Sequence, residues 1–172
     1  MKRLCIAAMV AILGLSAMAP SAHAIGLMAS WWQIDKSNDD GFGFGMQQKF
    51  NITPLFSLDT RASWIKFNDS KTSVFPIEAT GMVNIALLYA GVGVGYYVFN
   101  VDNAQGYGLD NNFGWYVLGG AHIGLGPCGV FGEIKWTSLS SDVSGVDPNI
   151  QDVPTSIKAD GIGFNLGVTF GK

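Results

Sequence analysis

The feature that most constrains this chain is a regular alternation of large apolar residues with small or polar ones. In the segment 161–170, GIGFNLGVTF, every second residue is a large apolar one, and glycine, asparagine or threonine stands between them. An amphipathic helix repeats its apolar residues every 3.6 positions, whereas a half-buried β-strand repeats them every two. The alternation therefore predicts β-strands and argues against a helical fold.

Eight segments of the chain show this pattern, each about as long as the ten or so residues that a tilted strand needs to cross a bilayer. They are 25–34, 41–51, 55–67, 74–87, 89–100, 113–125, 129–138 and 158–170. The connections between them alternate between tight turns, such as NITPL and LGPCG, and long polar loops, such as VDNAQGYGLDNN. Short turns on one side and long loops on the other, with an even number of strands, are typical of bacterial outer-membrane barrels. We therefore predict an all-β fold, an eight-stranded antiparallel up-and-down transmembrane β-barrel.

A soluble barrel would also alternate, but its apolar side chains would face inward around a ligand. Only 13% of the residues are charged, against about 25% in an average globular domain. The polar positions of the strands are mostly Gly, Ser, Thr and Asn, which is too little charge for a water-facing exterior. We therefore expect the apolar side chains to face lipid and the aromatic ones near strand ends to form interfacial girdles. The expected girdle residues are Trp31, Trp64, Trp115, Trp136 and Phe170.

The first 24 residues have the features of a secretory signal peptide. Lys2 and Arg3 precede a short apolar run, and Ala22-His23-Ala24 provides small residues for a cleavage site. We expect export through the Sec pathway, cleavage after Ala24 and a single mature domain, 25–172. The formal net charge is −3, and the loss of Lys2 and Arg3 makes it −5. That acidic balance argues against nucleic acid as a partner.

Glu133 and Lys135 are charged residues inside an otherwise apolar run. They share one side of their predicted strand, opposite the side of Ile134 and Trp136, so both are expected to point into the barrel. Buried charges are costly unless they are paired, and three further charges on the inward side of other strands can supply partners. The predicted lumen charge cluster consists of Asp59, Arg61, Glu78, Glu133 and Lys135.

Three uncharged polar residues are expected on the inward side as well, namely Tyr116, His122 and Asn165. His122 is the one residue of this group that could serve as a catalytic base. No serine lies two residues from it, since Ile123 and Gly124 follow, and no metal-ligand spacing surrounds it. We predict a structural lumen histidine, and no catalytic residues, metal site or cofactor.

The hairpin 114–137 ends with the pattern F-x-E-x-x-W, formed by Phe131, Glu133 and Trp136. Through this hairpin and the eight-strand layout, the chain resembles the small outer-membrane β-barrel superfamily of the OmpA transmembrane domain, OmpX and opacity-like proteins. The resemblance covers the whole mature chain and implies the outer membrane of a Gram-negative bacterium. It also implies contact with outer-membrane lipid and lipopolysaccharide, and insertion by the barrel-assembly machinery. The chain departs from the pattern where Gly171 and Lys172 follow Phe170, because many members end on the aromatic residue.

Eight strands enclose an interior just wide enough for side chains to fill, which argues against a wide pore. We therefore predict a non-enzymatic protein with a structural or surface-interaction role, whose longest loop, 139–157, is the candidate contact for an external ligand. Two alternatives remain open. One is a narrow solute or ion channel gated by the lumen charge cluster, and the other, disfavoured by the missing nucleophile–base pair, is a lipid A-modifying enzyme.

The expected processing gives a direct test. The protein recovered from the envelope should begin at Ile25, because signal peptidase requires small residues such as Ala22 and Ala24 before the cut. Amino-terminal sequencing and intact mass measure this start. Recovery of a chain that still begins at Met1 would contradict the assignment.

Overall fold

A computed structural model describes residues 23–35, 39–70, 72–101, 108–109, 111–144 and 156–171. The predicted signal peptide lies outside these residues except for His23 and Ala24, and so do 145–155 of the longest loop. Within the described residues, no helix is long and apolar enough to cross a membrane. The strands are β1 (His23–Ile34), β2 (Asp40–Asn51), β3 (Phe56–Phe67), β4 (Thr72–Ile85), β5 (Leu88–Val101), β6 (Gly108–Leu109), β7 (Asn112–Leu125), β8 (Cys128–Ser144), β9 (Ser156–Lys158) and β10 (Gly161–Phe170).

The eight long strands form a closed antiparallel barrel, as predicted. Each pairs with the long strand before and after it, and β10 pairs with both β8 and β1. At the closing pair, Ile25 lies opposite Phe170 and Ile34 lies opposite Gly161. We call the end with the connections 52–55, 86–87 and 126–127 the turn end, and the opposite end the loop end.

The predicted strand bounds agree with the structure to within a few residues, except at the seventh segment. That segment was expected to end at residue 138, but β8 continues to Ser144. Two short strands account for the extension, because β6 pairs with Val143 and Ser144, and β9 pairs with residues 140–142. These pairings supply hydrogen-bond partners to backbone that extends past the neighbouring strands.

The alternation of the sequence separates the two faces of the wall. In β10, Phe164 and Leu166 are exposed on the outside, whereas Gly163 and Asn165, the two neighbours of Phe164, are buried. Close packing of the interior requires glycine at some inward positions: a Cβ at Gly93 would collide with the ring of Tyr116. The outer face is thus apolar while the inner face alternates between small and bulky side chains.

The inner face is not polar along its whole height. Toward the turn end it carries polar side chains such as Gln47 and His122 beside Met82, whereas near the loop end it is largely apolar, which the sequence analysis did not predict. Large apolar side chains from five of the long strands pack there in the interior, because the inward position in β3, for example, changes from Asp59 and Arg61 to Ile65 and Phe67. This loop-end apolar core consists of Trp32, Ile65, Phe67, Val74, Tyr97, Phe99, Leu139 and Ala159.

Closure predicts a heat-dependent mobility on gels. The unheated protein should migrate as a compact band and the boiled protein as an unfolded one, because no strand edge is left for detergent to open. Leu166→Pro should abolish the compact band, since proline removes a ladder hydrogen bond in a strand paired on both sides. Leu166→Ala is the matched control, because Leu166 faces outward and is 70% exposed. Identical mobility of unheated and boiled wild type would contradict closure.

Candidate functional site

The five residues of the predicted lumen charge cluster are all buried inside the barrel and lie together. Asp59 and Arg61 come from β3, Glu78 from the adjacent β4, and Glu133 and Lys135 from β8 on another part of the wall. Because successive inward residues of a strand are two positions apart, each pair on one strand presents two charges to the interior.

Arg61 is the centre of the first group of contacts. Its Nη2 atom donates to Asp59 Oδ2 at 2.5 Å, and its Nη1 atom donates to Glu133 Oε1. A longer contact of 3.4 Å joins Arg61 Nη2 to Glu133 Oε2. One guanidinium therefore serves two carboxylates, which is the geometry that its planar set of five donors allows.

Lys135 and Glu78 form the second group. Lys135 Nζ donates to Glu78 Oε1 at 2.7 Å, and the hydroxyl of Tyr97 donates to the same oxygen at 2.9 Å. The ammonium of Lys135 also lies 5.0 Å from the ring centroid of Tyr116, a cation–π contact. The Tyr116 hydroxyl is itself 2.7 Å from Thr80 Oγ1.

The predicted polar residues of the lumen occupy different levels. Asn165 Nδ2 donates to Glu133 Oε1 at 2.6 Å and so belongs to the charge cluster, as Tyr116 does through its ring. His122 lies nearer the turn end, where its Nε2 atom is 2.9 Å from Thr169 Oγ1. Within the described chain, no carboxylate contacts His122 to orient it.

Lys49 is a half-buried, inward-facing charge that the sequence analysis did not include. Its Nζ donates to Asn84 Oδ1 at 2.7 Å and lies 5.4 Å from the ring centroid of Tyr89. In the β2–β3 ladder Lys49 lies opposite Asp59. The tyrosine hydroxyl in turn donates to Glu133 Oε2 at 3.0 Å. The sequence could have indicated this position, because Lys49 lies two residues from Gln47 and therefore on the same, inward side of β2.

The predicted girdle residues face outward, but they do not divide evenly between two interfaces. Trp31, Trp64 and Trp115 each lie three residues from the loop end of their strand, whereas Phe170 ends β10 at the turn end. Trp115 packs edge-on against Trp136, with ring centroids 5.2 Å apart. The tryptophans thus mark the loop-end side of the wall alone.

The comparisons with known proteins identify the family. The outer membrane protein beta-barrel domain family matches residues 5–170. The chain belongs to this family. Its location is therefore the outer membrane of a Gram-negative bacterium, as the sequence predicts. A search of curated proteins finds no match.

Two solved structures have a similar fold. This outer-membrane barrel matches Neisserial surface protein A with a TM-score of 0.63 and 14% identity, over 88% of this chain and 96% of that one. It matches the outer membrane protein OprG from Pseudomonas aeruginosa with a TM-score of 0.61 and 13% identity, again over 88% and 96% of the two chains. At such identities the likeness concerns the fold, and the side-chain contacts above are described from this barrel alone.

The interior of this outer-membrane barrel contains a cavity of about 230 Å³ at the turn end. Gln47, Lys49, Asp59, Tyr89 and His122 are among its lining residues. It extends inward as far as Asp59, and Arg61 binds the Oδ2 atom of that carboxylate. The cavity is therefore bounded on its inner side by the lumen charge cluster.

Loss of the shared guanidinium should destabilise the barrel strongly. Arg61→Met leaves Asp59 and Glu133 buried without their cation, and breaking a buried pair costs about 3–5 kcal/mol of unfolding free energy. Lys135→Met should cost less, because Lys135 contacts a single carboxylate. Urea unfolding in phospholipid vesicles measures the unfolding free energy of both variants.

Arg61→Lys is the matched variant for this prediction. It keeps the charge, but one ammonium lacks the planar fork that reaches two carboxylates. Its unfolding free energy should fall between those of the wild type and Arg61→Met. Equal stability of the wild type and Arg61→Met would contradict the role given to the cluster.

Proposed function

We propose that this protein is a non-conducting outer-membrane barrel with a structural and surface-interaction role. The single observation that carries the proposal is the filling of the interior by side chains at two successive levels. Arg61 and Tyr116 are 1% and 0% exposed at the level of the charge cluster, and Phe67 and Leu139 are each 1% exposed in the loop-end apolar core. A solute entering the cavity at the turn end meets both levels before it could reach the loops.

The narrow channel is the weaker candidate. A path through the charge cluster would require the ion pairs of Arg61 and Lys135 to open, and the level above it is filled by buried apolar side chains. An enzyme is weaker still. The hydroxyl of Thr169 lies near His122, but the described residues provide no acidic group to orient that histidine, as a nucleophile–base pair requires.

The bases of the loops are tied to the barrel, which supports a role at the cell surface. The carboxylate of Asp39 accepts hydrogen bonds from the backbone N–H groups of Asp69 and Ser70, both at 3.1 Å, and so links two neighbouring loops. Asp160, which follows the longest connection, accepts a hydrogen bond at 2.9 Å from the backbone N–H of Leu139, which precedes it. Loops fixed at their bases present their tips to external molecules from a stable rim, and lipopolysaccharide is the nearest such molecule.

Conductance separates the two leading candidates. Purified wild-type protein in planar bilayers should show no discrete ion conductance. A variant that removes side chains from both filled levels, Phe67→Ala with Lys135→Ala, should conduct if it folds, and its heat-dependent gel shift verifies folding. Reproducible wild-type channels whose conductance changes in Lys135→Ala alone would overturn the proposal in favour of a channel.

Replacement of residues 145–155 by a Gly-Ser linker of equal length tests the surface role. The barrel should retain its heat-dependent shift, because the replacement leaves β8 to Ser144 and β9 from Ser156 unchanged, while binding of lipopolysaccharide-coated beads should fall several-fold. The same replacement at residues 102–107 is the control for altered loop composition. Equal binding by all three proteins would contradict a contact through 139–157.

A further inference from the structure

The three short turns at the turn end expose large aliphatic side chains. Six of them are between 55% and 71% exposed. No charged residue occurs in the segments 51–56, 84–89 and 124–129 that contain these turns. We call this set the turn rim, and it consists of Ile52, Leu55, Ile85, Leu87, Leu88 and Leu125.

The loop end has the opposite character. Asp35, Lys66 and Asp69 are exposed there, and Asp40 and Asp160 are partly exposed. At the turn end, Lys49 is the nearest cationic side chain of the described residues, and it points into the interior, where Asn84 binds it. The two ends therefore face surroundings of different polarity.

The height of the outer wall shows where the apolar band must end. Tyr96 packs on Phe113, with ring centroids 4.9 Å apart, on the tryptophan-bearing side of the wall. Tyr96 is eight residue steps from Leu88 along β5, a height of about 20 Å at 3.3 Å per step and a strand tilt of about 40°. The lipid-facing band of such barrels is about 25 Å tall. Measured down from Tyr96, the band therefore continues past the end of the strand and through the turn.

The backbone of the turns is hydrogen-bonded in a way that suits a site without water. Leu55 O accepts a bond from Asn84 N at 2.7 Å, and Leu87 O accepts one from His122 N at 2.8 Å. Pro127 O is bonded to Gly171 N at 3.3 Å. The first turn is thus bonded to β4, the second to β7, and the third to Gly171 after the end of β10.

The first turn also satisfies its own donors. Thr53 Oγ1 accepts the N–H groups of Leu55 and Phe56, at 3.3 and 2.9 Å. Turn backbone in water can bond to solvent, whereas backbone in hydrocarbon must be satisfied within the protein. The N–H groups of the first turn meet the requirement for hydrocarbon, and each of the other two turns has one carbonyl bonded to a neighbouring segment.

We propose that the three turns are embedded in the periplasmic leaflet of the outer membrane, with the turn rim in contact with phospholipid acyl chains. The rim continues the lipid-facing wall without a charged side chain, lacks the tryptophans that mark the other interface, and has backbone hydrogen bonds within the protein. The mouth of the turn-end cavity then lies at the level of the lipid headgroups. Phospholipid, rather than a periplasmic protein or a second copy of the chain, is the occupant of this surface.

Cys128 is a native probe of the rim. It is the free, exposed cysteine of the described chain, and it lies opposite both Leu125 and Phe170 at the turn end. With Cys5→Ser in every protein, an NBD fluorophore can be attached to Cys128 without altering a strand. The control protein carries the fluorophore at an exposed loop-end site, Asn68→Cys, in a Cys128→Ser background. A second rim probe, Leu87→Cys in that background, reports on another turn.

Each labelled protein is reconstituted in vesicles of phosphatidylethanolamine and phosphatidylglycerol, with and without nitroxide-labelled phospholipid. The proposal requires emission at shorter wavelength from both rim probes than from the loop-end control, and loss of most of that emission with the nitroxide lipid. Emission as in water without quenching would overturn it and leave the rim free for a periplasmic partner. Short-wavelength emission that resists the nitroxide but changes when the protein is diluted in lipid would overturn it in favour of a second copy.

Discussion

The structure depends on one constraint: inside a bilayer, every backbone N–H and C=O must find its partner within the protein. Pairing of β10 with β1 meets this constraint, because it removes the two edges that an open sheet would have. Closure with eight strands also fixes the circumference. The interior is consequently so narrow that Arg61 on one wall reaches Glu133 on another. The lumen charge cluster is therefore a consequence of closure as much as of composition.

The interior changes from polar to apolar along the barrel axis. Charged groups such as Arg61 and Glu133 are paired in the middle, where removal of one partner would leave a buried charge. Above them, Trp32 and Phe67 pack edge-on with ring centroids 5.6 Å apart, as in the core of a soluble protein. The two levels fill the lumen by different forces, electrostatic in one case and apolar packing in the other.

Much of this could be predicted from the sequence, because a period of two assigns each residue to a face without knowledge of its neighbours. The strands, the closed barrel and the inward position of residues such as Asp59 and Lys135 follow from that period. The pairing does not follow from it, since which carboxylate meets Arg61 depends on the stagger of distant strands. Lys49 was missed although its position in the alternation was available. The loop-end core was missed because Ile65 and Phe67 are apolar, although they lie on the same side of β3 as the charged Asp59 and Arg61.

The loop-end apolar core has a consequence for how this protein can evolve. Leu139 and Ala159, which flank the longest connection, both belong to that core. Under the non-conducting role proposed above, the barrier to solutes would be built from residues of the described wall. Exchange or lengthening of residues 145–155 would then leave envelope integrity intact, and a lineage under attack by phage or antibodies could vary its surface sequence at no cost to its permeability barrier.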